Sequence, residues 1–230
     1  MDRLLVVKTS SLGDVVHTLP AISDLKSHYP DLIVDWVVEE NFAFLPNMHP
    51  GIDRVIPVAI RRWRKSPLSA IVRREFREFR KQLKSQSYSL IVDAQGLFKS
   101  AVIGAMAKGS QIGFDRLSAR ESISSLFYQK GISVQLGIHA VERVRHLFSK
   151  ALDYPLSDTE PDYGIRDQNV GPDQHLLFAH GTTWPSKLWP VHYWRKLAEL
   201  VGARGYQVSL PWIDQEELAR AEQISQGFKH

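Results

Sequence analysis

The sequence predicts an α/β protein built from doubly wound parallel sheets, and three observations carry this prediction. Short segments rich in Val and Ile alternate with segments whose apolar residues recur every three or four positions. Several of the predicted strands are apolar throughout, as parallel strands buried on both faces are. A segment rich in prolines and turn formers, 155–172, is followed by the same alternation. Two domains are therefore expected, 1–154 and 173–230, joined by that segment as a linker.

The first domain reads as five strands and four helices. Val- and Ile-rich runs with turn formers around them predict strands at 3–7, 32–40, 52–59, 88–96 and 110–114. Amphipathic spacing and a glycine stop at Gly109 predict helices at 14–27, 71–85, 97–109 and 139–154. Ligands of such sheets bind beyond the carboxyl ends of the strands. The polar segments 8–14 and 93–99 follow two of these strands, so both are candidate site loops.

The second domain is predicted to contain only two strands and two helices. The strands are expected at 175–183 and 206–212, and the helices at 192–205 and 214–227, the latter with Asp214 as its N-cap. Such a unit has a thin core, and small units are difficult to stabilise alone. Either this domain packs against the first one or it is part of a longer domain, and we favour an incomplete domain.

The composition limits the class of protein. There are no cysteines among the 230 residues, which excludes disulfides and thiolate metal sites. The apolar run at the N-terminus is too short for a signal peptide, and no stretch approaches the roughly 18 apolar residues of a spanning helix. A cytoplasmic protein that visits a membrane surface is expected.

The positive charge of the chain is concentrated in one segment. Residues 61–81 contain nine Lys or Arg and two Glu, a local charge of +7 in a chain whose net charge is +4. Such a segment predicts an anionic partner, which would be a phosphorylated substrate, anionic lipid or nucleic acid. A solvated helix explains 71–84 equally well. The cluster RRWRK at 61–65 is harder to explain in this way, because like charges so close repel one another unless an anion binds.

Asp14 lies where the first strand passes into the first helix, in the text SSLGD. An acidic residue at this place either caps the helix and interacts with its dipole or acts as a general base. From the position alone, the capping role is favoured.

The segment AHGTTWPSKLWP, 179–190, is a candidate phosphate loop. It offers backbone amides, two hydroxyls and an ammonium group at the end of a predicted parallel strand. An ordinary connection between strand and helix remains equally open, because the segment is not a Walker loop. The absence of a GxGxxG pattern argues against a nicotinamide enzyme, and no His, Asp or Glu group has metal-site spacing.

Several segments together closely resemble the lipopolysaccharide heptosyltransferases: VVKTSSLGDVVHTLPA, DWVVEE, VIPVAIRRWRK, IVDAQGLFKSA, HAVERV and KLWPVHYWRKL. The resemblance covers 4–228, and RRWRK and DAQGLFKSA look more like the branch called heptosyltransferase I than like heptosyltransferase II. It implies a GT-B fold of two Rossmann-like domains, here with the second incomplete. The N-terminal domain would take the acceptor, and the C-terminal domain the donor.

The resemblance implies an inverting, metal-independent transfer of L-glycero-D-manno-heptose from ADP-heptose to Kdo-lipid A, without a cofactor, at the cytoplasmic face of the inner membrane. The matching positions make Asp14 the catalytic base. The donor contacts would be Thr182, Thr183, Lys187 and, less securely aligned, Glu217. The acceptor contacts would be Arg61, Arg62, Arg64, Lys65 and Arg120.

One departure from the family and two other functions complete the expectations. The family continues beyond this sequence with a D-T-G-L-x-H segment that holds the donor, so weak donor binding and little activity are expected here. A nucleic-acid-binding protein could use the cations with Trp63, Phe76 and Phe79. This is not expected, because the two Phe residues are three apart on a predicted helix and would face the core. A non-catalytic remnant that binds anionic membrane is the third reading.

Overall fold

A computed structural model of the chain describes residues 1–156, 159–165, 174–182 and 184–228. The chain divides into two compact units, 1–166 and 167–230. The predicted linker, 155–172, is therefore described only in part.

The first unit is built on a six-stranded sheet in which every pair of neighbouring strands is parallel. This confirms the predicted α/β class. The strands are β1 (Arg3–Val7), β2 (Ile33–Glu39), β3 (Arg54–Val58), β4 (Leu90–Asp93), β5 (Gln111–Phe114) and β6 (Lys130–Ile132). Their order in the sheet is β3-β2-β1-β4-β5-β6. From β1 the chain adds β2 and then β3 on one side of the sheet. It then returns to the other side of β1 and adds β4, β5 and β6, so the direction of winding reverses between β1 and β4.

Helices connect the strands of this unit. They are α1 (Leu12–Val16), α2 (Leu19–His28), α3 (Phe44–Asn47), α4 (Ile60–Trp63), α5 (Ala70–Lys84), α6 (Phe98–Ala105) and α7 (Ala140–Leu152), with 3-10 turns at Glu40–Phe42 and Ser122–Phe127. Among the residues that the structure describes, no helix is both long enough and apolar enough to cross a lipid bilayer.

Two apolar layers bury the sheet on both faces. Alternate residues of β1 point to opposite faces, so Leu4 belongs to the layer under α2 and α7, and Leu5 to the layer under α5. Both side chains are fully buried. Because both faces of the sheet are buried, the central strands are apolar along nearly their whole length.

The structure differs from the predicted elements near Asp14. The single helix expected at 14–27 is wrong, because two helices, α1 and α2, lie there. Pro20 lies in the first turn of α2, where a proline starts a helix well but cannot continue one from the preceding turn. The Thr18 hydroxyl donates to the Asp14 carbonyl oxygen at 2.9 Å, across the break. The short elements α3, α4 and β6 were not predicted, since three or four residues give no readable periodicity.

The second unit contains a parallel pair of strands, β7 (His175–Leu177) and β8 (Gln207–Ser209), with a 3-10 turn at Pro185–Lys187 and the helices α8 (Val191–Gly202) and α9 (Gln215–Ser225). Asp214 caps α9 as predicted, because its Oδ1 accepts a hydrogen bond from the Glu217 backbone N–H at 2.9 Å.

Asp35 joins three strands of the first unit through charge. Its carboxylate is fully buried, and it lies 2.9 Å from Arg3 Nη1 and 2.6 Å from Arg54 Nη2. The Tyr88 hydroxyl also donates to Asp35 Oδ2 at 2.9 Å. The two guanidinium groups and the Tyr88 hydroxyl together compensate the buried negative charge of Asp35.

Replacing Asp35 tests this network. We expect Asp35→Ala to lower the free energy of unfolding by about 2–4 kcal/mol, because Arg3 and Arg54 lose their counter-charge while keeping some contact with water. The exposed Asp31→Ala variant is the control, and should change it by less than about 0.5 kcal/mol. Equal losses in the two variants, measured by urea unfolding, would contradict the role given to Asp35.

Candidate functional site

The polar ends of β1 and β4 lie side by side. The two strands pair in parallel, with Val7 opposite Asp93, so the segments that follow them leave the same edge of the sheet. This is also the point where the winding reverses, and open α/β sheets bind ligands there. Both candidate loops, 8–14 and 93–99, therefore meet where the sequence predicted a site.

Gln95 fastens the two loops together. Its side-chain Oε1 accepts hydrogen bonds from the backbone N–H groups of Thr9 at 2.8 Å and Ser10 at 3.2 Å. Its Nε2 donates to the Ser10 carbonyl oxygen at 2.5 Å. All three residues are buried, so these bonds satisfy backbone groups that water does not reach. The segment leading to Asp14 is held from the neighbouring strand.

Asp93 holds the backbone of Gln95 in place. Its Oδ1 accepts from the Gln95 backbone N–H at 2.9 Å, and its Oδ2 accepts from the hydroxyls of Ser100 and Tyr128, both at 2.8 Å. Complete burial raises the pKa of this carboxyl above its usual range, although the hydrogen bonds oppose the shift. Gly96 follows with a φ of +69°, a left-handed conformation in which a glycine is unstrained.

Asp14 lies in the first turn of α1, three residues after Ser11 at the N-cap position, so Asp14 is not itself the N-cap. Its Oδ2 accepts from the Ser11 backbone N–H at 2.9 Å and from the Ser11 hydroxyl at 3.0 Å. Its Oδ1 accepts from Arg120 Nη2 at 2.7 Å. The side chain therefore stabilises the helix start and is also one partner of an ion pair between distant segments.

The charges around Asp14 favour its ionised form. Burial alone raises the pKa of its carboxyl, but the Ser11 backbone N–H, Lys8 and Arg120 together lower it further, and the net shift is downward. Lys8 is only 4% exposed, and its Nζ donates to the Ala94 carbonyl oxygen at 2.9 Å. Burial lowers the pKa of Lys8 to about 8, with Asp14 opposing that shift.

A pocket opens beside these groups. It is lined by residues from both loops, the end of α1, β5 and the segment after it, and the start of α7: Lys8, Asp14, His17, Ala94, Gln95, Phe114, Arg120, Ala140, Arg143 and Val144. A group bound in it would contact a carboxylate and several cations at once. Such a site suits the abstraction of a proton from a bound hydroxyl.

Of the predicted acceptor residues, only Arg120 is bonded to Asp14. Arg61, Arg62, Arg64 and Lys65 lie on and directly after α4, and no described hydrogen bond or ion pair joins their side chains to Asp14.

Carboxylates within the chain already neutralise part of this basic cluster. Arg62 donates to Glu40 through Nε and Nη2, both at 3.0 Å, and to Glu75 through Nη1 at 2.7 Å. Trp63 Nε1 also donates to Glu75, at 2.8 Å. The sequence argument that these cations need an external anion is therefore wrong for Arg62. Glu40 lies outside the counted segment, and a count of charges does not show that Glu75 pairs with Arg62.

The aromatic residues near this cluster differ in exposure. Phe79 is 4% exposed and packs in the core as predicted, whereas Phe76 is 37% exposed. Both rings make edge contacts with Trp63. The prediction that both Phe residues face the core is therefore wrong for Phe76, which lies at the rim of the buried stripe of α5.

The second unit brings two of the four predicted donor residues into one pocket. Thr182 and Glu217 both line it, together with Gly181, Leu188, Glu216, Ala219, Arg220 and Gln223. Gly181 lies so close to the Glu217 carboxylate that a side chain there would collide with it. Lys187 ends the neighbouring 3-10 turn and is not part of the pocket lining. Thr183 lies outside the described residues.

Sequence reasoning missed three residues of the first pocket. Lys8 directly follows the apolar strand β1, and this change from apolar to charged residues could have indicated it. Gln95 lies in a loop that was singled out, but nothing in the text distinguishes it from its neighbours. Arg143 lies on an amphipathic helix, where a charged residue is ordinary, so no signal was present.

The sequence and the fold are matched by a class of enzymes, the glycosyltransferases. Residues 76–230 match the profile of Glycosyltransferase family 9 (heptosyltransferase). The chain belongs to this family of heptosyltransferases.

Individual relatives agree with this assignment. The chain is 49% identical over 233 residues to a lipopolysaccharide heptosyltransferase 1 from Pseudomonas aeruginosa, and the match covers 99% of this chain and 66% of the relative. It is 44% identical over 234 residues to the enzyme of the same name from Escherichia coli K12, covering 99% and 73%. A solved structure described as E. coli heptosyltransferase WaaC with ADP-2-deoxy-2-fluoro heptose matches this chain with a TM-score of 0.93 and 43% sequence identity, covering 98% of this chain and 74% of that one.

Removing the Arg120 charge tests the electrostatics of the pocket. We expect Arg120→Gln to raise the pKa of Asp14, because the guanidinium group that favours the carboxylate is lost. Carboxyl carbon chemical shifts followed by NMR over pH would measure this change. Arg116→Gln, an exposed arginine on the same loop, should leave the Asp14 titration unchanged; a similar shift in both variants would show a general charge effect instead.

Proposed function

We propose that this chain carries out the heptosyltransferase I reaction, the transfer of L-glycero-D-manno-heptose from ADP-heptose to Kdo-lipid A. The observation that carries the proposal is the placement of Asp14, a partly buried carboxylate held by Ser11 and Arg120 at the point where the winding of the parallel sheet reverses. The proposal is supported by relatives named lipopolysaccharide heptosyltransferase 1 and by the similar structure of an E. coli heptosyltransferase with ADP-2-deoxy-2-fluoro heptose.

Asp14 acts as the general base in the proposed reaction. It accepts the proton of the acceptor hydroxyl while that oxygen forms a bond to the anomeric carbon of heptose. The bond from this carbon to the diphosphate oxygen breaks, ADP leaves with the electron pair, and attack from the opposite face inverts the configuration. The lowered pKa keeps Asp14 ionised at neutral pH but makes it a weak base. The fixed loop geometry compensates by holding the carboxylate ready for the hydroxyl.

The donor is assigned to the second unit. Thr182, Thr183 and Lys187 would contact the diphosphate of ADP-heptose, and Glu217 would contact another part of the donor. In this proposal the ammonium group of Lys187 balances the charge that develops on the departing ADP, so the reaction needs neither a metal ion nor a cofactor.

The acceptor is assigned to the cations of the first unit. Arg61, Arg62, Arg64, Lys65 and Arg120 would bind its phosphates and carboxylates, which suit the fork of the guanidinium group. Arg62 would exchange its bonds to Glu40 and Glu75 for bonds to the acceptor. The two internal carboxylates make the free site less repulsive, and they also lower the net gain from binding at this residue.

We assign the work of the enzyme to the cytoplasmic face of the inner membrane, with peripheral attachment. The exposed side of α5 supports this assignment, because cations surround the partly exposed Phe76 along it: Arg73, Arg77, Arg80, Lys81 and Lys84. Each cation near an anionic bilayer would contribute about 1 kcal/mol, screened by salt. Nucleic acid binding is not favoured, because the family assignment explains the same cations.

An Asp14→Asn variant tests the catalytic role. We expect heptose transfer to fall by about a hundredfold or more, because the amide cannot take up the proton. The melting temperature should change little, since the amide oxygen still accepts from Ser11. Mass spectrometry of the acceptor measures transfer, and Asp31→Asn is the control. Full activity combined with about 1 kcal/mol or more of lost stability would leave Asp14 as a helix-start residue only. Absence of transfer by the unaltered chain would contradict the proposed reaction.

Calorimetric titration with ADP tests the donor assignment. We expect Lys187→Ala to weaken ADP binding by about tenfold or more, because a charged hydrogen-bond donor to the diphosphate is lost. Lys196→Ala, which removes an exposed charge from α8, should bind ADP as the unaltered chain does. Equal affinities for all three proteins would remove Lys187 from the donor site. Binding of oligonucleotides or anionic vesicles without any ADP binding would instead favour the non-catalytic readings.

A further inference from the structure

Glu39 is a buried carboxylate that the proposed reaction does not use. It is the last residue of β2, it is 3% exposed, and it lies opposite Val58, the last residue of β3. Burial raises the pKa of this carboxyl above its usual range, although the Arg61 backbone N–H opposes the shift. Acidic residues are seldom buried unless their oxygens have partners, so the partners of Glu39 indicate what this residue does.

Two hydrogen bonds lead from Glu39 to different parts of the candidate site. Its backbone N–H donates to the Thr9 carbonyl oxygen at 3.0 Å. Its side-chain Oε1 accepts from the Arg61 backbone N–H at 2.9 Å. Thr9 belongs to the loop 8–14, which ends at Asp14, and Arg61 lies in α4. Glu39 therefore connects the loop that carries Asp14 to the helix that carries the first cations of the basic cluster.

The residues after Glu39 contact the same helix through side chains alone. Glu40 accepts from Nε and Nη2 of Arg62, both at 3.0 Å, and the Arg61 guanidinium carbon lies 5.2 Å from the centroid of the Phe42 ring. An anionic ligand would attract both of these guanidinium groups and could replace their contacts. The bond from Glu39 holds the backbone instead, so it persists when the guanidinium groups exchange partners.

The helix α4 needs an anchor at each end, because four residues form too few hydrogen bonds of their own to keep a helix in place. Trp63 anchors the end of α4, since its ring makes edge contacts with Phe76 and Phe79 of α5. Glu39 anchors the start, because it accepts from the Arg61 N–H, one of the groups that a helix leaves without a partner in its first turn.

We infer that Glu39 is a positioning residue, which holds the backbone of α4 so that Asp14 and the cations on and after this helix engage the same acceptor. This inference rests on the proposed function, in which those cations bind the acceptor: Arg61, Arg62, Arg64 and Lys65. Glu39 does not touch the acceptor and acts only through α4. A displacement of about 1 Å in a group that positions a substrate is enough to lose much of its effect.

Two substitutions of Glu39 separate positioning from charge. Glu39→Ala removes a negative charge and the oxygen that accepts from Arg61, whereas Glu39→Gln removes the charge and keeps an acceptor oxygen. Loss of the charge alone would strengthen the binding of an anion in both variants. We expect Glu39→Ala instead to weaken the binding of Kdo-lipid A by about tenfold, because α4 loses its anchor. Glu39→Gln should bind it at least as tightly as the unaltered chain does.

The affinity is measured without turnover, by calorimetric titration with Kdo-lipid A in neutral detergent micelles, and micelles alone are the blank. In the transfer assay, Glu39→Ala should raise the KM for the acceptor by about tenfold and change kcat by less than about twofold. The backbone N–H of residue 39 still donates to Thr9, so the loop that carries Asp14 is unchanged. Hydrogen exchange of the Arg61 amide should be faster in Glu39→Ala and unchanged in Glu39→Gln.

Ser69→Ala is the matched control, because it also removes a side-chain oxygen that accepts a backbone N–H at the start of a helix. The Ile71 N–H donates to Ser69 Oγ at 3.3 Å, at the start of α5. This variant should lower the melting temperature slightly and leave the binding of Kdo-lipid A unchanged. If Glu39→Ala does not fold, Glu39→Asp replaces it: this variant keeps the charge but withdraws the oxygen from Arg61, so it should also weaken binding.

Three results would overturn the inference: equal or tighter binding of Kdo-lipid A by Glu39→Ala, the same weakening in Glu39→Gln, or the same weakening in Ser69→Ala. A chain that transfers heptose with an unchanged acceptor KM in Glu39→Ala would retain the proposed function and lose the positioning role. A chain that shows the expected binding differences but transfers no heptose would retain the positioning role and contradict the proposed reaction.

Discussion

The parallel pairing of β1 with β4 is the constraint on which the candidate site depends. It places the ends of two strands, more than eighty residues apart in the sequence, at one edge of the sheet. Gln95 then bonds to the backbone of Thr9 and Ser10, which fixes the path of the chain into α1. The strand pairing and the Gln95 hydrogen bonds together determine where Asp14 lies. Without the buried apolar layers on both faces, the strands would not pair and the two loops would not meet.

The first unit uses charge in two different ways. Around Asp35 and Arg62, opposite charges meet inside the chain and largely cancel, which stabilises the fold and the α4–α5 region. Around Asp14 they do not cancel, because Lys8 and Arg143 are anchored by carbonyl oxygens. Excess charge in a partly buried pocket costs stability. This difference separates the structural ion pairs from the candidate pocket.

Local patterns in the sequence predicted much of the fold. The apolar runs located β1, β2 and β4, because strands buried on both faces contain near-continuous Val, Ile and Leu. Shorter runs between turn formers located β3 and β5. The amphipathic spacing located α5 and α7, and Asp214 was recognised as the cap of α9. Short or interrupted elements escaped: α4 has four residues, β6 has three, and Pro20 divides what reads as one helix. Periodicity needs several turns or several alternations before it can be read.

The sequence by itself determined the class of fold, the loops that would carry the site, and Asp14 as the residue to examine. The tertiary structure alone decided what surrounds that carboxylate. Arg120 reaches Asp14 across 106 positions, and Arg143 joins them from a helix later still in the chain. It also decided that Arg62 is already paired with Glu40 and Glu75. The physical reason is that secondary structure follows from neighbours in sequence, whereas charge pairing and burial depend on distances set only when the sheet assembles.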